Sequence, residues 1–403
     1  MQKNRLFVAS CVSLVTCGAL FAIRGAIASD LGKHFAADGQ AIGNVLSQGF
    51  FGMGYVIAIA SPLCDWLGMK RLMVLAFLLH LIGMVAFLFV PGTATDPELR
   101  WAQYAMLCIG LAHGLVEGVI NPLIATLYPD QKTHKLNVLH AWWPGGIILG
   151  GLAAWFLREQ GFSWQTQWCV GFVPTICYGL FIIGAQFPKT ERVASGVSAP
   201  TMVLAALNPL FLLFVAMMAL TAATELGTGQ WLDAVLTNTA KFDGILLLVY
   251  GSGLMFVLRF FAGPIAHRLS PIGLLTVSAA LAAIGLYMLS VATSPTTCIA
   301  AATVFFVGVC YFWPTMLGVV SERHPKTGAL GMGLLAASGF LGSGFLTQHM
   351  GAIYADTAQG PAAAFAFATW LPVVLTVVFA LVWLYYRSRG GYRVETLTAP
   401  PKT

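Results

Sequence analysis

The sequence predicts an all-α membrane protein of twelve transmembrane helices in two pseudo-symmetric six-helix bundles. Three observations predict it. Apolar residues make up 58% of the 403 and charged ones only 9%, against about 45–50% and about 25% in soluble chains, so a water-facing surface cannot be built. The mean hydropathy of +0.81 is carried by twelve apolar stretches, each long enough to cross ~30 Å as a helix. Short motifs also recur about half a chain apart.

The first stretch, 6–29, follows Lys3 and Arg5 and carries Ala26-Ile27-Ala28, a pattern that imitates a cleavable secretory signal. Its apolar run exceeds the usual ~7–15 residues, and Arg24 stands just ahead of the would-be cleavage point, so it reads as a span. Spans two and three, 41–62 and 72–91, flank a short polar loop and end at Pro91-Gly92. Span four, 102–127, stops at Tyr128-Pro129-Asp130; span five, 136–157, stops before Gly161-Phe162-Ser163; span six occupies 165–187. Spans seven to twelve cover 205–232, 244–265, 271–292, 296–320, 327–350 and 362–386, punctuated by Ser270-Pro271 and His324-Pro325-Lys326. Turn formers and charge concentrate between the stretches, where a helix must end.

Lys and Arg in alternate connections set the orientation. With the N-terminus inside, fifteen fall on the inner side and four, Lys33, Arg100, Arg158 and Lys241, on the outer. That bias predicts two cytoplasmic termini and an even span number. The longest inner connection divides the chain into a first six-helix bundle over 1–187, a cytoplasmic linker over 188–204, a second bundle over 205–390 and a cytoplasmic tail over 391–403. Ser61-Pro62-Leu63-Cys64-Asp65-Trp66-Leu67 has a counterpart in Gly263-Pro264-Ile265-Ala266-His267-Arg268-Leu269, and Asn121-Pro122 in Trp313-Pro314. Repeats of equal span parity are parallel ones, the pattern of a transporter built about an axis along the membrane normal.

Several classes are excluded. The formal charge is +6, but the 21 Lys and Arg form no run or stripe, so nucleic acid is not a partner. The eight cysteines lie in or beside apolar stretches without a CxxC pair and read as packing residues rather than a metal or disulfide framework. No G-x-x-x-x-G-K-[ST], H-E-x-x-H or G-x-S-x-G occurs, so ATP drive and hydrolytic enzyme chemistry have no support, and neither a cofactor nor a metal is expected.

The loop from Ser61 to Arg71 resembles the loop after span two in the major facilitator superfamily. Asp65, Gly68, Lys70 and Arg71 match that pattern, while Ser61 stands for its first Gly and Trp66 for the Arg after the acid. The resemblance implies a packing and gating role for the matching four. Gly114 to Ile124 with Glu117 ahead of Asn121-Pro122, Leu136-Asn137, and Ala223 to Leu232 are similar to the fucose permease branch, which includes sodium-dependent glucose transporters. This implies a sugar symporter coupled to a proton or sodium ion. Two departures stand out: the branch's polar sugar contacts in span five fall on His140 and Trp143, and span one carries Arg24 without a matching coupling acid.

Ionisable side chains inside a bilayer cost at least ~2.5–3.5 kcal/mol each, so those that remain are candidates for function. Arg24, Glu117, Glu225 and Arg259 qualify. Arg259 is close enough to the inner end of its span to snorkel and reads as an inter-helix clamp and gating residue. Glu117, between Gly114 and Gly118, sits roughly 22 Å from the outer end of span four, at the depth of a central cavity. It is the foremost coupling residue, able to take a proton or accept sugar hydroxyls. Arg24 lies roughly 12 Å from the outer end of span one. It either pairs with Glu117 or lies free for an anion. Glu225, Gln230 and Trp231 lie toward the outer half of span seven, where Gly227 and Gly229 permit a broken helix.

Trp142, Trp143, Trp231 and Trp313 fall within spans, where an aromatic face suits the C–H face of a pyranose. Trp101, Trp155, Trp164, Trp168 and Trp383 read as an interfacial belt. Asn121 and Asn137 either contact substrate or satisfy a kink, and His140 reads as a satisfied polar residue. Pro144-Gly145-Gly146, Gly339, Gly342 and Gly344 mark hinges or close contacts. The sequence thus predicts a monomeric secondary transporter of the plasma (inner) membrane. Its substrate contacts would be Glu117, Asn121, Asn137, Trp143, Glu225, Gln230, Trp231 and Trp313, its solute a monosaccharide and its coupling ion a proton or sodium. The alternatives are an organic-anion or drug carrier using Arg24 and a membrane sensor that transports nothing.

Overall fold

The computed structural model describes residues 2–92, 96–128, 135, 138–188, 199–239, 243–259, 268–356 and 362–393. Helices fill these residues and no strand occurs among them. In the first half they are α1 (Gln2–Ala26), α2 (Ala28–His34), α3 (Gly39–Trp66), α4 (Met69–Leu88), α5 (Asp96–Leu127), α6 (Trp142–Glu159), α7 (Trp164–Cys169) and α8 (Phe172–Ile182). The second half holds α9 (Ala199–Ala206), α10 (Pro209–Ala222), a π-helical turn (Ala223–Gly227), α11 (Thr228–Thr239), α12 (Gly244–Arg259), α13 (Pro271–Ser290), α14 (Pro295–Val309), α15 (Phe312–Arg323), α16 (Gly328–Ala355), α17 (Ala362–Ala368) and α18 (Trp370–Ser388).

Among the described residues, nine helical stretches are long and apolar enough to cross a membrane, and the shorter apolar α12 stands in the place of span eight. Helix α6 and the α7–α8 pair occupy the places of spans five and six. A twelve-span count is consistent with this arrangement. The ends follow local chemistry: Asn208 accepts from the Leu210 and Phe211 amides at 2.9 and 3.3 Å, with Pro209 in the first turn. This cap starts span seven at Pro209 and separates it from α9, whereas the hydropathy pattern begins the span at 205. Ser294 and Thr297 form a reciprocal capping box ahead of α14, satisfying amides that would otherwise be orphaned.

The two halves meet where α3 packs against α16, α6 against α12 and α1 against α11. Small residues allow it. A Cβ on Gly43 would lie 3.2 Å from the Thr347 carbonyl oxygen and the Gly351 Cα, so the α3 and α16 backbones touch. Within the first and second halves respectively, Gly146 and Gly342 face the backbones of Val15 and Ala219, so close packing accounts for them.

At the end away from the termini, the halves are clamped by charge. Arg158 of α6 bonds Asp233 at 2.7 Å and Asp243 at 2.9 Å. The Trp155 indole donates to Asp243 at 3.2 Å, and Gln348 donates to Asn44 at 2.5 Å. At the termini end, Arg5 donates to the carbonyls of Phe181 and Ile183 at 2.8 and 2.5 Å. Tyr392 donates to Glu322 at 2.8 Å; burial and that carboxylate push its phenol well above the ordinary range.

Three expectations about side chains are corrected. Trp164 and Trp168 are buried rather than interfacial, because both pack on Phe87 and the Trp168 indole donates to the Met84 carbonyl at 3.1 Å. Trp155 serves the clamp. Cys169 and Cys177 are exposed rather than packed inside.

Candidate functional site

A small cavity of about 30 Å³ lies between the halves, lined by Glu117, His140, Trp143, Glu225, Leu226, Arg259, Trp313 and Phe340. It has room for one or two waters. Four elements bring its charged and polar groups together: α5 supplies Glu117, the residues ahead of α6 supply His140, the π-helical turn supplies Glu225 and the end of α12 supplies Arg259.

Glu117 is 4% exposed. The Asn121 amide donates to its backbone carbonyl at 3.0 Å and to Oε2 at 3.3 Å. With the amide nitrogen committed there, Asn121 Oδ1 accepts from His140 Nε2 at 2.8 Å. Asn121 stands one turn beyond Glu117 on the same helix face; Pro122 lacks the amide that would bond the Gly118 carbonyl, and the Cys64 thiol donates to that carbonyl at 3.4 Å.

On the other side of the cavity, Arg259 Nη2 lies 3.6 Å from Glu225 Oε1. Its Nε donates to the Cys310 carbonyl at 3.3 Å and its Nη1 reaches the His140 carbonyl at 3.5 Å. Glu225 Oε2 is buried without a hydrogen-bond partner. The π turn widens the helix at this acid, and Thr228 donates back to the Thr224 carbonyl; such turns recur at functional sites. Trp143 and Trp313 flank the polar groups, Trp313 lying 4.9 Å from the Phe340 ring.

Several sequence expectations change. Glu225 belongs at the cavity rather than in an outer half, because its helix runs on to Thr239, past the expected end at 232. Arg259 faces the cavity rather than snorkelling, and its pairing with Glu225 ties α12 to the π-helical turn, in keeping with an inter-helix clamp. Gln230 and Trp231 do not line the cavity: the Gln230 amide donates to the Phe21 carbonyl at 3.1 Å and the Trp231 indole to the Thr347 carbonyl at 2.8 Å. Both are buried, Gln230 in a contact across the halves and Trp231 in one within the second half. Arg24 also stays outside. Its guanidinium lies over the Phe21 and Phe50 rings, 5.3 and 4.3 Å from their centroids, and Nε and Nη1 have no hydrogen-bond partner. No Arg24–Glu117 ion pair occurs among the described residues. Trp142 is 40% exposed.

Asn137 lies outside the described residues, as does the Asp65 side chain. Gly68 adopts φ +84° ahead of α4, a left-handed turn that a side chain would strain. Lys70 and Arg71 are exposed beside it. Two participants escaped the sequence reading of function. His140 was legible only as a departure from the fucose permease pattern, and the Arg158 clamp required knowing which loops meet.

A family model described as the Major Facilitator Superfamily matches residues 9–347. The chain belongs to the major facilitator superfamily. As a superfamily member it is an integral membrane transporter. Among its relatives, "Protein TsgA homolog" of Yersinia enterocolitica is 24% identical over 311 residues, 73% of this chain and 74% of that protein. A "D-xylose transporter" of Levilactobacillus brevis is 24% identical over 155 residues, 37% of this chain and 31% of that one. The xylose transporter XylE from E. coli, in a partially occluded inward open conformation, superposes with a TM-score of 0.79 at 12% identity, covering 96% of this chain and 98% of its own. FucP in the outward conformation superposes at 0.62 with 16% identity, covering 93% and 98%. At these identities the likeness is one of fold.

Proposed function

We propose that this transporter is a monosaccharide symporter driven by protons. The observation that carries the reading is the cavity's composition: two carboxyl groups, a single guanidinium, an Asn–His hydrogen-bond chain and two tryptophan faces. Sugar hydroxyls both donate and accept, and the Glu117–Asn121–His140 chain offers both functions. The ring's C–H face suits Trp143 and Trp313. One relative and one of the fold neighbours are xylose transporters, which supports a pentose or hexose as the solute.

Charge supplies the coupling argument. Arg259 balances one carboxylate, Glu225, and leaves Glu117 without a cationic partner in a water-poor space. One more positive charge completes the balance. A sodium ion needs several oxygen ligands, and the cavity offers few that are not already engaged, so a proton on Glu117 fits best. The same count disfavours an organic anion, and Arg24, which would have recruited one, does not line the cavity.

In this reading the cavity widens when the halves rock apart at one end, admits proton and sugar, and closes around them before the other end opens. The 188–204 segment would link the rocking bundles, and the Lys and Arg bias supports cytoplasmic termini and a plasma (inner) membrane location. Asp65, Gly68, Lys70 and Arg71 would brace the cytoplasmic side. Uptake of radiolabelled D-xylose, L-fucose and D-glucose into proteoliposomes tests the proposal under separately imposed proton and sodium gradients. Accumulation of one sugar with the proton gradient supports it; uptake of an organic anion with no sugar accumulated overturns it.

A further inference from the structure

Away from the cavity, the first half buries a second group of ligating side chains. Cys17 of α1, His80 of α4 and His113 of α5 each offer one donor atom, and the three atoms lie within 4.8 Å of one another. A trigonal or tetrahedral site with bonds of ~2.0–2.3 Å sets its donors ~3.3–3.8 Å apart, so the trio needs only small side-chain shifts to close on an ion. None of the three lines the Glu117 cavity.

The second observation is that two of these groups are unsatisfied. His80 and His113 are 0% and 1% exposed, and Nε2 of each has no hydrogen-bond partner. Buried imidazole nitrogens without a partner are costly. Their rings stand 4.9 Å apart at 56°. His80 Nδ1 lies 2.7 Å from Tyr178 Oη. With Nδ1 donating to that oxygen, the lone pair of Nε2 is left free, the arrangement by which an outer hydrogen bond fixes the tautomer of a ligating histidine.

We propose that Cys17, His80 and His113 bind one cuprous ion. The donor set is soft thiolate plus two imidazoles, which suits copper and zinc and not the hard cations. Charge decides between those two. A Cys17 thiolate and Cu(I) sum to zero, whereas Zn(II) would leave a net positive charge in an apolar bundle. The ion would tie α1, α4 and α5 together one helical turn from Glu117, since His113 and Glu117 share a face of α5. The inference depends on no step of the transport cycle proposed above.

The test uses the full chain in lipid nanodiscs with the exposed thiols removed (Cys169→Ser, Cys177→Ser), titrated with Cu(I) against bicinchoninate as a competing chelator. One Cu(I) per chain is expected, with an X-ray absorption spectrum fitted by one sulfur and two nitrogen neighbours. Cys17→Ser and His113→Gln should each weaken binding by about 100-fold and Tyr178→Phe by about 10- to 100-fold. If a variant fails to fold, the absorption spectrum of the parent decides alone. Binding unchanged in a folded Cys17→Ser protein, a spectrum without sulfur, absence of stoichiometric binding, or tighter retention of Zn(II) than Cu(I) overturns the assignment.

Discussion

At the residue scale, Glu117 and Glu225 have different environments and should respond differently to the same change. Glu117→Gln keeps the bond from Asn121 but removes the acid, so gradient-driven sugar accumulation should fall at least ~10-fold while exchange of sugar for sugar persists, a split that isolates coupling from binding. Counterflow assays beside uphill uptake check this. Glu225→Gln instead strands the Arg259 guanidinium. Breaking one side of a buried pair costs about 3–5 kcal/mol, and replacing both partners costs much less. Thermal unfolding should therefore show Glu225→Gln well below wild type and the Glu225→Gln/Arg259→Gln double variant recovering most of the loss. Glu117 was legible in the sequence because an acid between two glycines in an apolar run has few other reasons to exist. Arg259 was legible as an inter-helix clamp but not as a cavity residue, because its nearness to a span end fits snorkelling equally well, and only the π-helical turn packed opposite reveals the carboxylate it meets.

Elements tell a similar story about what periodicity carries. Hydropathy locates helices because bilayer thickness imposes their length, and every predicted segment holds helix among the described residues. It does not locate interruptions. The π turn at Ala223–Gly227 has no proline to announce it, whereas the breaks between α7 and α8 and between α14 and α15 lie ahead of Pro174 and Pro314, which lack the amides that would bond the Val170 and Cys310 carbonyls; a hydropathy average reads the same across all three. That Gln230 and Trp231 lie off the cavity was not legible for that reason: which face they present depends on the wide turn before them. Gly43 and Gly351, in contrast, report their role once α3 and α16 are paired. Gly351→Val would push a branched side chain into the Gly39 carbonyl, the Trp231 ring and the Gly43 backbone. It should cost about 1–3 kcal/mol and hold the end away from the termini apart, measurable by spin-label distances between the adjoining ends of α3 and α16.

For the whole molecule, alternating access requires two seals of comparable strength, each able to break. The structure holds one of them closed by Arg158 with Asp233 and Asp243. Arg158→Ala should shift the population toward opening at that end. A cysteine introduced at Thr347, now fully buried, should then react with a membrane-impermeant maleimide at least ~10-fold faster, as read by mass spectrometry of that peptide. The clamp has one further consequence. Arg158 retains 23% and Asp243 35% side-chain exposure, so ions in the adjoining medium can reach the pair, and the attraction weakens within a Debye length of ~8–10 Å at ordinary salt. The solution on that face therefore helps to set how readily the door opens, and transport should quicken or slow with the ionic strength of one compartment and remain indifferent to that of the other.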